Sequence, residues 1–225
     1  MRAWFFDMDG TLFDSMPNHA QSWEEAMTRN GLAFKAEECY MNEGRTGSDV
    51  IGTAIRRQLH REATEEEKER IYAEKAALFR AKGPVAAIKG VKDVLTYLKQ
   101  RGEMIWIVTG SGQQSLFDTL ESRFPGIFAR ERMITAFDVV RGKPDPEPYL
   151  AAWRKSGMRK EDCRVVENAP LGIRAGKAAG LFTIGVNTGP LPDEALQREG
   201  ADIVLPDMKA MLRWLVQEDT KDKNN

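Results

Sequence analysis

Short apolar runs recur along the later two-thirds of the chain, spaced so that a helix fits between each pair. Residues 104–108 (MIWIV), 164–166 (RVV), 182–186 (FTIGV) and 202–205 (DIVL) are rich in β-branched residues and bounded by Gly, Pro or charge. Such runs predict strands buried on both faces. A further strand is predicted at the start, over residues 3–6. Between the runs, helical patterns cover residues 91–101, 113–124, 147–156, 171–179 and 208–216. Strand alternating with helix predicts crossover units and an α/β fold with a doubly wound parallel sheet.

From about residue 17 to 84 the alternation stops and no strand is predicted. Helical patterns cover 19–30, 36–42, 48–60 and 64–82, and Thr64 with Glu67 three residues later forms a capping box. Asn30-Gly31 and Lys82-Gly83-Pro84 have the composition of helix stops. The expected organisation is a helical cap domain, residues 17–83, inserted into an α/β core made of residues 1–16 and 84–225. This arrangement places a cleft at the carboxyl end of the first strand, where ligands bind in open α/β sheets. The polar tail, about 218–225, is expected to fray.

Composition narrows the function. The chain has 225 residues, 42% hydrophobic and 30% charged, with a formal net charge of -1. No basic stripe marks a nucleic-acid partner, and no apolar run is long enough for a membrane span. The N-terminal strand followed by acids does not read as a signal peptide. Cys39 and Cys163 lack metal-ligand spacing and read as free thiols in a reducing cytoplasm. A monomer is expected.

The first strand runs directly into Asp7 and Asp9, followed by Gly10 and Thr11. Alone, this could be a turn. Other predicted strand ends and loops carry more chemistry. Thr109-Gly110-Ser111-Gly112 follows residues 104–108 and offers hydroxyls and unhindered N–H groups at a predicted helix start, an anion site or an N-cap. Lys143 lies between Gly142 and Pro144, and Glu167 with Asn168 follows another core strand. Oxygen donors without His or Cys suit Mg²⁺. A divalent ion would also offset the repulsion between the two leading carboxylates. A carboxylate can attack phosphorus, a neighbour can donate and later accept the proton, and Lys and Thr can neutralise the phosphoryl oxygens.

These motifs resemble, over nearly the whole chain, the haloacid dehalogenase superfamily and its β-phosphoglucomutase-like subfamily, which carries a helical cap after the first strand. Asp7-Met8-Asp9-Gly10-Thr11 matches the first motif, Thr109 the second, Lys143 in "GKPDPEPY" the third and "ENAPLGIRAGKAAG" the fourth. The resemblance implies that Asp7 is nucleophile and Mg²⁺ ligand. It implies that Asp9 is the general acid/base and binds the metal through its backbone carbonyl. The departure is Asn168, where an acid is usual. An amide oxygen can still ligate Mg²⁺, with Glu167 as a further ligand or holding a metal-bound water, or the change is neutral drift.

In this subfamily the cap selects the substrate. His19 matches the position of a His that assists proton transfer in the sugar phosphomutases; the alternative is a helix-surface His. Arg45 is suited to gripping a distal phosphate. Glu43 is expected to orient Lys75 or Arg45, accept a proton or bond a metal-bound water; otherwise it is a solvated loop acid. Lys75 is expected to pair with Glu43 or meet phosphate. Asn168, Glu43 and Lys75 together resemble an inorganic pyrophosphatase of the β-phosphoglucomutase branch. The expected activity is therefore Mg²⁺-dependent hydrolysis of a small anionic phosphate, diphosphate first. A sugar phosphomutase or small sugar-phosphate phosphatase is the alternative.

Overall fold

The computed structural model describes residues 1–111 and 116–224. Among these, six strands form one sheet: β1 Ala3–Phe6, β2 Met104–Val108, β3 Met133–Ile134, β4 Cys163–Glu167, β5 Phe182–Val186 and β6 Ile203–Leu205. Their order is β3-β2-β1-β4-β5-β6, and each neighbouring pair runs parallel.

Successive strand side chains point to opposite faces. Trp4, Phe6, Ile105 and Ile107 pack on one face, under α5 (Val91–Gln100), α6 (Leu116–Arg123) and α10 (Met208–Asn224). Ala3, Phe5, Trp106 and Val108 pack on the other, under α7 (Glu147–Ser156) and α8 (Pro170–Ala178). Both faces are covered, which is why the strand sequences are apolar without alternation. Phe5 and Phe6 are fully buried; truncating either to Ala would cost about 3–5 kcal/mol. The strand order reverses between β1 and β4. A crevice opens at the carboxyl ends of strands flanking such a reversal.

The insertion after β1 comprises α1 Met16–Arg29, α2 Ala36–Met41, α3 Gly47–Leu59 and α4 Glu65–Ala81. It has its own apolar cluster, with Trp23, Met27, Ile51, Ile55 and Ile71 at its centre. The capping box forms: Thr64 Oγ1 accepts from Glu67 N–H, and Glu67 accepts from Thr64 N–H. The two chain crossings between core and insertion lie side by side. Phe13 pairs antiparallel with Ala87, Asp14 N–H donates to Ala86 O at 2.9 Å, and Ile88 N–H to Leu12 O at 2.9 Å.

Some elements differ from expectation. β3 has two residues and α9 (Asp193–Arg198) six, too short for a periodic signal. α10 continues to Asn224 instead of ending near 216, and residue 225 of the tail expected to fray lies outside the described residues. The helix expected from Gln113 is described from Leu116; Gly112 to Ser115 lie outside the described residues.

Candidate active site

The carboxyl ends of β1, β2 and β4 converge on Asp7, Thr109 and Glu167-Asn168, all buried. Asp7 is locked to the neighbouring strand through its N–H to Val166 O at 3.0 Å. The chain then turns at Gly10, whose φ is +76°. A Cβ there would sit 2.2 Å from Asn168 Nδ2 and 2.6 Å from Glu43 Oε1, so glycine is required by both conformation and space.

Lys143 is 1% exposed, so it is a buried ammonium and not a solvated surface lysine. Its Nζ donates to Asp7 Oδ1 at 2.5 Å, Glu167 Oε1 at 2.6 Å and Val108 O at 3.0 Å, which uses all three protons. Burial opposes its charge, but Asp7 and Glu167 outweigh that and raise its pKa. Asp7 is raised well above the usual carboxylate range, first by burial and then by Glu167 and Asp9, with Lys143 acting against them.

Glu167, expected to ligate a metal or hold a metal-bound water, is engaged with protein groups on both oxygens. Its Oε1 accepts from Lys143 and from Tyr149 Oη at 2.8 Å, and its Oε2 from the N–H groups of Asn168 and Ala169 at 3.1 and 3.2 Å. In this arrangement the carboxylate holds Lys143. Asn168 is oriented from both sides: Oδ1 accepts from Thr11 Oγ1 at 2.7 Å, and Nδ2 donates to Glu43 Oε1 at 2.7 Å.

The insertion brings His19 (α1), Lys75 (α4) and the loop 42–46 over this centre. Asp9 Oδ1 accepts from Ser15 Oγ at 2.6 Å and lies 3.1 Å from His19 Nε2. Lys75 Nζ lies 2.6 Å from His19 Nδ1. An ammonium can only donate. Nδ1 is therefore the acceptor, the imidazole proton sits on Nε2, and Nε2 donates to Asp9. Burial pushes the Asp9 pKa up, but His19, Ser15 and Lys75 prevail and hold it at about 2. Burial and Lys75 lower His19. Lys75 is buried beside Trp23 and Phe79, its Nζ 5.1 and 5.2 Å from their ring centroids, and desolvation brings it down to about 8.

Glu43 is buried, so it is not a solvated loop acid; among the described residues its hydrogen bond is to Asn168 and not to Lys75 or Arg45. Burial, then Asp7, Glu167 and Asp9, raise its pKa well above the usual range. Arg45 Nη1 pairs with Asp49 at 2.5 Å, while its Nε is buried with no partner among the described residues. Thr109 Oγ1 accepts from Ser111 N–H at 3.0 Å. A Cβ on Gly110 would lie 3.0 Å from Gly44 O, so the insertion loop rests directly on this turn. These residues enclose a cavity of about 80 Å³ lined by Asp7, Asp9, His19, Glu43, Arg45, Lys75, Thr109, Gly110 and Ser111. Sequence reasoning missed Ser15, Thr11 and Tyr149 as the partners that orient Asp9, Asn168 and Glu167. Thr11 and Tyr149 lie inside the motifs already singled out.

No cluster of three or more His, Cys, Asp or Glu suited to a metal occurs among the described residues. The oxygen donors that the family resemblance names are mixed instead: the Asp7 carboxylate, the Asp9 main-chain carbonyl and the Asn168 amide oxygen, of which Asp7 and Asn168 are buried at the strand ends. Hard oxygens of this kind fit Mg²⁺. Mg²⁺ held by these three residues would supply neutralisation of the phosphoryl oxygens.

Residues 1–180 match the model of the haloacid dehalogenase-like hydrolases. The chain is 29% identical over 216 residues to hexitol phosphatase A of Escherichia coli, covering 91% of this chain and 90% of that protein. It is 26% identical over 225 residues to beta-phosphoglucomutase of Bacillus subtilis, covering 91% and 92%. A solved structure from Bacteroides vulgatus, provisionally named a beta-phosphoglucomutase, is 47% identical with a TM-score of 0.93, covering 97% of this chain and 89% of that one.

Proposed function

The chain belongs to the haloacid dehalogenase-like hydrolases, and we propose that it is a Mg²⁺-dependent phosphohydrolase acting through an aspartyl-phosphate on Asp7. The carrying observation is the Lys143 ammonium 2.5 Å from Asp7, with the Asp9–His19–Lys75 chain beside it. An Asp7 oxygen attacks phosphorus and the bond from phosphorus to the leaving oxygen breaks. Asp9, with a pKa of about 2, holds no proton of its own near neutrality. The proton for the leaving oxygen is therefore drawn from His19 Nε2 through Asp9 while the Lys75 ammonium gives a proton to Nδ1, so the imidazole stays neutral and Lys75 becomes the neutral amine until the proton taken from water returns along the same path. Afterwards the Asp9 carboxylate takes a proton from water as that water attacks the phosphoryl group and frees Asp7.

For the substrate, the geometry favours inorganic pyrophosphate. The cavity of about 80 Å³ compares with roughly 300–1,000 Å³ for pockets that hold drug-sized ligands. Glu43 and the Arg45 Nε bring polar groups from residues 17–83, read as the cap, to a ligand with no sugar of its own. The names of the relatives favour the second reading better: a hexitol phosphatase and phosphoglucomutases support a small sugar or polyol phosphate.

The test is phosphate release by the Mg²⁺-loaded protein from pyrophosphate and from hexitol, glycerol and hexose phosphates, beside isomerisation of β-glucose 1-phosphate with a bisphosphate primer. Preference for pyrophosphate supports the first reading, and preference for a sugar or polyol phosphate supports the second. Isomerisation without phosphate release, or no turnover of any member, overturns the phosphohydrolase.

A further inference from the structure

Tyr149 lies six residues beyond Lys143, on α7, and is fully buried against the underside of the site. Its hydroxyl donates to Glu167 Oε1 at 2.8 Å, the same oxygen that accepts from Lys143 Nζ at 2.6 Å. Lys143 Nζ also lies 5.1 Å from the Tyr149 ring centroid. One tyrosine thus touches both the lysine and the acid that anchors it.

The arrangement poses a problem of sharing. Lys143 sits between two carboxylates at nearly equal distance, 2.5 Å from Asp7 and 2.6 Å from Glu167. If Glu167 captured the ammonium, Asp7 would lose its contact with Lys143. Glu167 is restrained in two ways. Its Oε2 is held by main-chain N–H groups, and Oε1 is held by the Tyr149 hydroxyl. A hydrogen bond to a carboxylate oxygen spreads its charge and fixes its position. A Cβ on Gly172 would lie 1.9 Å from Glu167 Oε1, so the carboxylate is also packed against α8 with no room to swing that way.

We infer that Tyr149 is a positioning residue of the reaction, holding Glu167 so that the Lys143 ammonium stays shared with Asp7. The inference rests on the reading of Asp7 as nucleophile. Burial, Glu167 and Asp7 raise the phenol well above its ordinary range, so it remains a donor across the pH range of any assay.

The test uses Tyr149→Phe, which removes only the hydroxyl. In the wild-type protein the Lys143 ammonium, with every proton bonded, gives a slowly exchanging ¹H–¹⁵N signal. In Tyr149→Phe that signal is expected to move and its exchange to speed up about tenfold, the scale of one hydrogen bond to a charged group. With the substrate selected above, kcat should fall about tenfold while KM stays near wild type, a split that a merely structural role would not give. In a Glu167→Gln background the same substitution should have little further effect on kcat, since it acts through that carboxylate. An unchanged Lys143 signal with wild-type kcat overturns the inference, as does an undiminished loss in the Glu167→Gln background. If the wild-type protein turns over no phosphate compound, the proposed function fails, and the Lys143 signal alone then decides the role of Tyr149.

Discussion

Glu43→Ala cuts the contact through which a side chain of the insertion loop grips Asn168. The Asn168 amide is held between Thr11 Oγ1 and Glu43 Oε1, each at 2.7 Å, in a buried setting. Truncation to Ala leaves the Nδ2 donor without its acceptor. A buried donor left unpaired costs about 1–3 kcal/mol, or about 5- to 150-fold in rate if the cost falls on the closed, reacting state. Glu43→Gln separates hydrogen bond from charge. A glutamine Oε1 can still accept from Asn168, and losing the charge relieves repulsion from Asp7, Glu167 and Asp9, the groups that raise the Glu43 pKa. The loss in Gln should therefore be much smaller than in Ala. The assay is kcat/KM for pyrophosphate and for a hexitol phosphate, with a thermal melt to verify folding. The loss should be larger for pyrophosphate, which has no sugar to fill the gap between insertion and core. Wild-type kcat/KM in Glu43→Ala on both substrates would refute the argument. Equal, large losses in Ala and Gln would show that charge, and not the Asn168 contact, is what matters.

Asp7→Asn should abolish turnover while the metal-free protein melts higher, because burial disfavours the ionised carboxyl; measurable turnover by pure variant contradicts the aspartyl-phosphate. Lys75 must be protonated to donate to His19, so kcat should fall as pH rises through about 8, and Lys75→Met should be slow at all pH with that limb missing. Stability carries the opposite sign. Between about 8 and the unfolded value of 10.5 the unfolded chain binds the extra proton, so the contribution of Lys75 makes stability rise with pH across that window. A Lys75→Met protein with the same pH slope there as wild type would contradict the burial of Lys75. Asn168→Asp should tighten Mg²⁺ binding, measured by calorimetry, without raising turnover of pyrophosphate; a several-fold gain in turnover would contradict the charge argument.

The sheet was legible because buried parallel strands are continuous apolar runs, and residues 104–108 and 182–186 coincide with β2 and β5. β3 escaped because two residues have no period, and in α9 only Leu196 is buried. The chemistry at the strand ends was legible as residue types, but not as partnerships. Glu167 at the end of β4 reads as an acid by type, and only the fold shows that Tyr149, 18 residues away on a separate helix, donates to the same oxygen as Lys143. The contacts Glu43–Asn168 and Lys75–His19 span 125 and 56 residues. Pairings at that range follow from how α1 packs on α4 and how the insertion sits on the sheet, which no local pattern encodes.

The paired crossings at Phe13 and Ala87 have a consequence for exchange of parts. Because the insertion leaves and re-enters the core at adjacent, mutually hydrogen-bonded residues, the core meets it as a closed loop of chain. Lengthening such a loop changes closure entropy only slowly, by about 0.6 kcal/mol per doubling. Helices can thus be gained, lost or replaced between these two points while Asp7, Lys143 and Glu167 keep their places. His19 and Lys75 lie inside the exchanged segment, so a chimera joined at Phe13 and Ala87 would have to keep those two residues while it replaces the rest of the insertion on the same sheet.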